Sequence, residues 1–343
     1  MMYNCEKLKK FVASVMEHGG LSPRDAALFA DSLLYAQMRG IGSHGLTRLT
    51  TYYRRIREGL VDAKAEPKIT VDLPSLMVVD NQNGMGVPGA AAVMAECIQR
   101  AKVTGCCFAA VRGGNHFGCA SYFAEQAAKA GLMGIALANG PKAMAPIGGK
   151  EPVLGTNPMA VAIPAAGRDP FVLDMATSVV ARGKVALAAK EGRLIPEGWA
   201  IDADGKATID PNAVKCVLPF GGPKGYGIAL MIEVLCSCLS GAKTGTTMGS
   251  FYDFSGKKQD SGFFLGAVNV GVVDSFQEAS AQLFGAVKDS PKAQGVEEIF
   301  IPGEIEQRNY ERAEKEGITL SAPILAELEA LAQSCGIVFD AEQ

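Results

Sequence analysis

The chain contains three histidines, His18, His44 and His116, and two of them stand in glycine-flanked turns. Imidazole titrates near neutrality and suits reversible proton transfer. The first turn reads Gly42-Ser43-His44-Gly45-Leu46-Thr47-Arg48. Backbone flanked by glycine is exposed and can face a ligand, and Ser43 can hydrogen-bond and orient a neighbour. If a helix begins by Gly45, His44 and Arg48 point to roughly one side. A guanidinium fork suits a carboxylate. Imidazole and guanidinium together fit a 2-oxo or 2-hydroxy acid, one group for the carboxylate and one for the oxygen at C2. The plainer alternative is a capping serine and a surface arginine. The second turn, Gly113-Gly114-Asn115-His116-Phe117-Gly118, lies between a strand and a helix. Ligand sites of α/β folds favour that position, and helix N-terminal N–H groups can receive phosphate. Its alternative is a turn whose histidine caps a neighbour.

Three further segments set polar groups just off apolar runs: Gly148-Gly149-Lys150 through Gly155-Thr156-Asn157-Pro158, Leu173-Asp174-Met175-Ala176-Thr177-Ser178, and Gly221-Gly222-Pro223-Lys224-Gly225-Tyr226-Gly227. Lys224, at a helix start, could meet a cofactor phosphate with help from the helix dipole. Asp174 could take a ribose hydroxyl or orient an imidazole. Each segment also reads as an ordinary turn or cap. Gly84-Met85-Gly86-Val87-Pro88-Gly89 matches the dinucleotide fingerprint and sits between a strand and a helix. No Asp or Glu ends the next strand to hold a ribose hydroxyl, so it reads as a turn. A Rossmann dehydrogenase is the structural alternative, and Gly86→Val would abolish cofactor binding only in that case.

Residues 4–60 carry apolar positions at helical spacing, over Cys5 to His18 and Pro23 to Met38, with Ser22-Pro23 as a start signal. Leu46 to Glu58 continues as a helix holding Arg48, Arg54, Arg55 and Arg57. Strands are expected at 76–80, 106–112, 133–138, 160–164, 171–174 and 263–272. Helices are expected at 88–104, 120–130, 181–191, 275–290 and 321–335. Lys224 to Ser240 reads as a long buried helix. Alternating strands and helices argue an α/β class. Gly241 to Gly262 reads as a mobile or interfacial loop.

With 343 residues, the chain suits one large unit or two to three lobes at roughly 100–200 residues each. An apolar content of 48% with a net charge of −3 argues against disorder. A pI of about 5.8 argues against nucleic-acid binding. No signal peptide is visible in the first ten residues. The most apolar stretch, Tyr226 to Leu239, contains Glu233 and falls short of the about 20 residues a membrane span needs. Nine cysteines without a CxxC pair read as buried, reduced thiols of a cytosolic protein, with no metal site.

In order, Gly42-Ser43-His44-Gly45, Asn115-His116-Phe117-Gly118, Gly155-Thr156-Asn157-Pro158, Asp174-Met175-Ala176-Thr177-Ser178 and Gly222-Pro223-Lys224-Gly225-Tyr226-Gly227 resemble the type 2 malate/L-lactate dehydrogenase family, as does Ile301-Pro302-Gly303-Glu304. That family also holds sulfolactate, ureidoglycolate and diketogulonate oxidoreductases and cyclic imino-acid reductases. The likeness runs from about residue 4 to 312. It implies a non-Rossmann α/β fold of the malate/L-sulfolactate dehydrogenase type, with a mixed-sheet cofactor domain. In that division an N-terminal helical segment, 1–70, packs with C-terminal helices, 305–343, beside an α/β region, 71–304, that includes the variable loop 241–262. It implies a homodimer that uses NAD or NADP on a small-molecule substrate. His44 or His116 would exchange the proton, with Ser43 orienting His44. Arg48 would hold the carboxylate, and Thr156 joins it as a substrate contact. Cofactor contacts would fall on Gly118, Ser121, Lys142, Asp174, Met175, Ala176, Lys224, Gly225, Pro302, Gly303 and Glu304. The leading expectation is an L-2-hydroxy acid dehydrogenase. The alternatives are a cyclic imino-acid reductase, a ureidoglycolate-type dehydrogenase and a non-catalytic cofactor-binding protein.

Overall fold

The computed structural model describes residues 2–342; Met1 and Gln343, the outermost residues of the two expected helical end segments, lie outside the described residues. Two capped helices open the chain. The Asn4 side chain accepts from the Lys7 N–H to start α1 (Cys5–Gly19), and Ser22 accepts from Asp25 to start α2 (Pro23–Met38), with Pro23 in its first turn. Leu8, Phe11, Val12, Val15 and Met16 form the buried stripe of α1, the three-and-four spacing of one helix face.

The expected helix over Leu46 to Glu58 is two pieces, a 3₁₀ turn and a shorter α-helix, with a second 3₁₀ turn ahead of them. Two 3₁₀ turns, Gly42–His44 and Leu46–Arg48, precede α3 (Leu49–Arg57). Gly45 breaks the winding between them, with φ −93° and ψ −146°. His44 and Arg48 are therefore not one α-turn apart on a common helix, and the helical-spacing argument for pairing them does not hold.

The central sheet has seven strands in the order β1-β2-β3-β10-β4-β5-β6. They are β1 (Lys68–Asp72), β2 (Leu76–Asp80), β3 (Cys106–Gly114), β4 (Met133–Ala138), β5 (Met159–Ile163), β6 (Phe171–Met175) and β10 (Ser261–Val268). Only β2 and β3 run parallel; every other neighbouring pair is antiparallel. The sheet is thus mixed and not doubly wound. Strand β10 arrives late in the chain and inserts between β3 and β4, setting Phe263 opposite Val111 on one side and Ala138 on the other.

Alternate residues of each strand face opposite layers. Ala136, Phe263 and Leu265 join the main core with α4 (Gly86–Thr104), α5 (Ala120–Lys129) and the N-terminal helices, while Leu137 and Phe264 pack with Ile232 and Cys236. The latter two belong to α7 (Pro223–Glu233) and a π-turn continuation, Val234–Cys238. That segment departs from the long buried helix expected over Lys224 to Ser240. It turns one face inward and leaves Leu230, Met231, Val234 and Leu239 more than two-fifths exposed.

The turn-rich stretch from Ile195 holds a small sheet, β8-β7-β9, made of β7 (Ala200–Ile201), β8 (Ala207–Thr208) and β9 (Cys216–Val217). It packs with α6 (Arg182–Lys190), where Val185 and Val217 share a cluster. After α8 (Phe276–Lys288) come α9 (Glu304–Glu316) and α10 (Ala322–Cys335). The chain ends meet: Tyr3 bridges both Ile318 and Glu342, and Phe11 meets Phe339 edge-on at 4.9 Å. All nine cysteines are free; six are buried, but Cys238 is exposed.

Candidate active site

A buried ion pair braces the site from below. Arg39, at the end of α2, meets Glu125 of α5 at 2.7 Å, and the Tyr35 hydroxyl donates to the same carboxylate. Severing such a pair leaves an uncompensated buried charge. The brace fixes the Gly42–Arg48 segment that follows α2 against the 115–118 turn that precedes α5.

In the first of these segments, Leu46 and Leu49 are fully buried anchors, the Leu46 N–H donates to Gln37 Oε1, and Thr47 Oγ1 donates to the Gly42 carbonyl. Ser43 Oγ lies 3.0 Å from His44 Nδ1. Arg48 Nε donates to the Ser43 carbonyl at 2.6 Å. So Arg48 and His44 are joined after all, through the Ser43 backbone.

The second turn rests on a stack of rings. Phe117 lies between Phe123 and Phe263, with ring centres 4.9 and 4.7 Å away. The Asn115 side chain donates to the carbonyls of Asn83 and Gly84. The fingerprint-like glycines explain themselves here. A Cβ on Gly86 would stand 2.2 Å from the Asn115 carbonyl oxygen and 2.4 Å from that of His116. Gly86 is small because the His116 backbone crosses it, so Gly86→Val would displace His116 whatever binds the cofactor. The substitution does not discriminate the two fold hypotheses as the sequence reading supposes.

The His44 and His116 rings stack with centres 5.6 Å apart and planes 17° from parallel. His116 Nδ1 receives the Gly118 N–H at 3.2 Å and lies against the Tyr52 hydroxyl. A backbone N–H only donates, so Nδ1 carries a lone pair and the ring proton sits on Nε2. His116 is thereby held as a neutral donor. Burial first, and then the charges of His44, Arg48 and Arg55, push its pKa well below the usual value. Burial also lowers His44, helped by Arg48 and opposed by Asp174. Ser43, by contrast, can donate to a neutral His44 or accept from a charged one, so that ring keeps both protonation states.

Asp174, at the end of β6, accepts from the Ser121 N–H at 2.9 Å and the Cys119 thiol at 3.1 Å. Burial and this carboxylate raise the Cys119 thiol well above its usual pKa, so it stays a donor. The Thr156 carbonyl accepts from the Thr177 N–H and hydroxyl, and the Phe220 N–H donates to the Thr177 carbonyl. The 155–157, 174–178 and 219–225 segments therefore abut, bringing Thr156, Asp174, Met175, Ala176, Lys224 and Gly225 into one region. Lys224 is exposed in the first turn of α7, and no side chain caps that helix start. An uncapped N-terminus beside a lysine fits a phosphate.

Lys142 is exposed and its N–H donates to the Gly245 carbonyl. The Pro302 carbonyl accepts from Val172 of β6, and Gly303 packs on Val172. The Glu304 carboxylate is already taken by Arg168, Lys288 and the Ile301 N–H. Glu304 thus caps its own turn and shares its carboxylate among three donors.

Three residues complete the site beyond those expected. Tyr52, fully buried, stands four positions past Arg48 on α3, a spacing visible in the sequence. Phe251 stacks on His116 at 4.7 Å, and Gln259 Oε1 accepts the His116 N–H. Nothing in the residue pattern marks the last two. Among the described residues no group of three or more His, Cys, Asp or Glu could hold a metal ion, and no helix is long and apolar enough to cross a membrane.

Residues 3–329 match the family model described as malate/L-lactate dehydrogenase. The chain is 37% identical over 342 residues to the L-sulfolactate dehydrogenase of Methanocaldococcus jannaschii, covering 98% of each. It is 36% identical to the (2R)-3-sulfolactate dehydrogenase (NADP(+)) of Chromohalobacter salexigens, covering 97% of this chain and 98% of that one. The solved malate dehydrogenase of Entamoeba histolytica superposes with a TM-score of 0.93 at 28% identity, covering 99% of each chain.

Proposed function

The chain belongs to the malate/L-lactate dehydrogenase family, and from that premise we propose that it interconverts a small 2-oxo acid and its 2-hydroxy acid, using NAD(H) or NADP(H). The observation that carries this reading is the stacked His44–His116 pair, with Arg48 tied to Ser43 beside it. A bound nicotinamide supplies a hydride to C2 or takes one back. Gly118, Ser121, Asp174, Met175, Ala176, Lys224 and Gly225 would hold it, with Lys142, Pro302 and Gly303 at the margins. Asp174 suits a hydroxyl because its carboxylate is already oriented by Ser121 and Cys119.

Arg48 binds the substrate carboxylate. Its Nε is spent on Ser43 and its remaining N–H groups are free for the acid. Thr156 stands at the junction with the cofactor segments. His116 donates from Nε2 to the oxygen at C2, polarising it without changing charge. His44 moves the proton, giving it during reduction and taking it during oxidation, with Ser43 following each state. The M. jannaschii and C. salexigens relatives are named for sulfolactate, which favours a substrate with a second acidic group.

Initial rates with oxaloacetate, pyruvate, sulfopyruvate and a cyclic imine carboxylate, each with NADH and NADPH, test this. A kcat/KM for a 2-oxo acid in the range of about 10⁴–10⁸ M⁻¹s⁻¹ is expected. Turnover of the imine alone, or cofactor binding without turnover of any acid, would sink it.

The exposed apolar face of Leu230, Met231, Val234 and Leu239 supports a homodimer. Sedimentation should give twice the 35.9 kDa chain mass, and a monomer at micromolar concentration would rule the dimer out.

A further inference from the structure

The 241–262 loop, read from sequence as mobile or interfacial, is tied down at both ends. At its base, Glu233 is buried and accepts from Asn139, Asn157, Ser237 and the Gly245 N–H, while Asn139 Oδ1 receives the Gly262 N–H. At its tip stands Arg55. Its side chain is 1% exposed, and Nη1 donates to the carbonyls of Ser250 at 3.3 Å, Phe251 at 3.1 Å and Asp253 at 3.2 Å. Nε and Nη2 are buried without a hydrogen-bond partner. The Asp253 carboxylate is engaged with the Ser255 N–H instead.

A guanidinium buried against carbonyls, with no carboxylate bonded to it, is a poor choice for stability alone, since an apolar side chain fills such a space at less cost. What it does secure is position. Phe251, whose carbonyl Arg55 holds, stacks on His116 and meets Tyr52 at 4.8 Å. Tyr252, next in the chain, stands over the Arg48 guanidinium at 5.3 Å. The turn that Arg55 grips therefore carries one ring against the oxygen-binding histidine and another against the carboxylate-binding arginine.

We infer that Arg55 is a positioning residue that latches the Ser250–Asp253 turn over the site, so that Phe251 and Tyr252 form the wall meeting the substituent on C3 of the substrate. This rests on the 2-oxo acid reading given above.

Arg55→Met keeps the length and removes every donor; Arg55→Lys keeps the charge and one donor nitrogen. Two measurements read the latch. One is kcat and KM across pyruvate, 2-oxobutyrate, oxaloacetate and sulfopyruvate, with the cofactor KM alongside. The other is the rate of tryptic cleavage of the folded protein at the exposed Lys257 and Lys258. In Arg55→Met, discrimination between the preferred acid and pyruvate should shrink by about 10-fold or more through KM, the scale on which a pocket sorts substituents, while the cofactor KM holds. Cleavage should accelerate by about 10-fold, because it tracks the open population. Arg55→Lys should fall between. Two outcomes overturn the inference: cleavage and KM ratios like those of the wild type, or a uniform loss for all acids in proportion to folded protein. If the wild type turns over none of these acids, the 2-oxo acid reading fails and takes the specificity role with it. The cleavage rates then decide whether Arg55 holds the turn.

Discussion

His44→Ala should lower kcat/KM for reduction of the 2-oxo acid by about 10²–10⁴-fold, the usual worth of a placed general acid. His116→Asn should lose less than His116→Ala, because an amide N–H can still donate to the oxygen at C2. The asymmetry follows from the hydrogen bonds. Gly118 and Tyr52 occupy His116 Nδ1, and charging that ring would turn Nδ1 into a donor and break the Gly118 contact. The His44 ring has one hydrogen-bond partner among the described residues, Ser43, whose hydroxyl reverses its role.

The pH dependence follows in sign. Burial lowers the His44 pKa below its ordinary value near 6.5, so the reductive rate should rise as pH falls through that lowered value, and the oxidative rate should rise in the other direction. Both histidines have folded-state pKa values below their unfolded ones. The unfolded chain therefore binds more protons below about pH 6.5, and stability should decline there on acidification. Rate profiles and melting temperatures between pH 5 and 8, roughly the span in which histidine changes charge, check both. If His44→Ala retains more than a tenth of activity while His116→Ala is inert, the two roles are exchanged.

Arg48→Met should raise KM for the acid by about 10²–10⁴-fold and leave the cofactor KM within about threefold, since two charge-assisted hydrogen bonds are each worth about 1.5–3 kcal/mol. The fall in kcat/KM should exceed the rise in KM. Arg48 Nε also holds the Ser43 carbonyl, so its loss frees the residue that sets His44. Arg48→Lys should recover part of the binding and little of that alignment, because an ammonium lacks the fork. Parallel losses for acid and cofactor would show that Arg48 supports the fold and not the substrate.

Much of the candidate site is legible in the sequence because its residues sit in short segments. Ser43, His44 and Arg48 share one turn, and His116 closes a strand. The structure brings these residues together, though not by the local geometry that the spacing suggests. Three- and four-residue spacings are indistinguishable over so few positions, so the 3₁₀ turn at Leu46–Arg48 reads as part of the helix that follows it. Tyr52 was within reach as the next residue on the Arg48 face. Gln259 and Phe251 were not, because they approach His116 only through a loop held at its base by Glu233 and at its tip by Arg55, the latter far off in sequence. Glu233 itself was visible as a carboxylate within an apolar run, a pattern that argues a satisfied buried acid as strongly as it argues against a membrane span. The strand order was hidden for the same reason: nothing near Ser261 says that β10 belongs between β3 and β4. The glycines at 84–89 misled because close packing of two backbones demands the same residue as a phosphate cradle.

That strand order has a kinetic side. Until residues 261–268 have left the ribosome, β3 and β4 face each other across an empty position, each with an unpaired edge. Such edges template wrong partners, and pairings between distant parts of a chain form slowly. Since Gln259 and Phe251 arrive with that last strand, the surroundings of His116 are completed in the step that closes the sheet. A chain that has completed the candidate site has thus also closed the gap between β3 and β4, leaving neither of those edges open to a wrong partner.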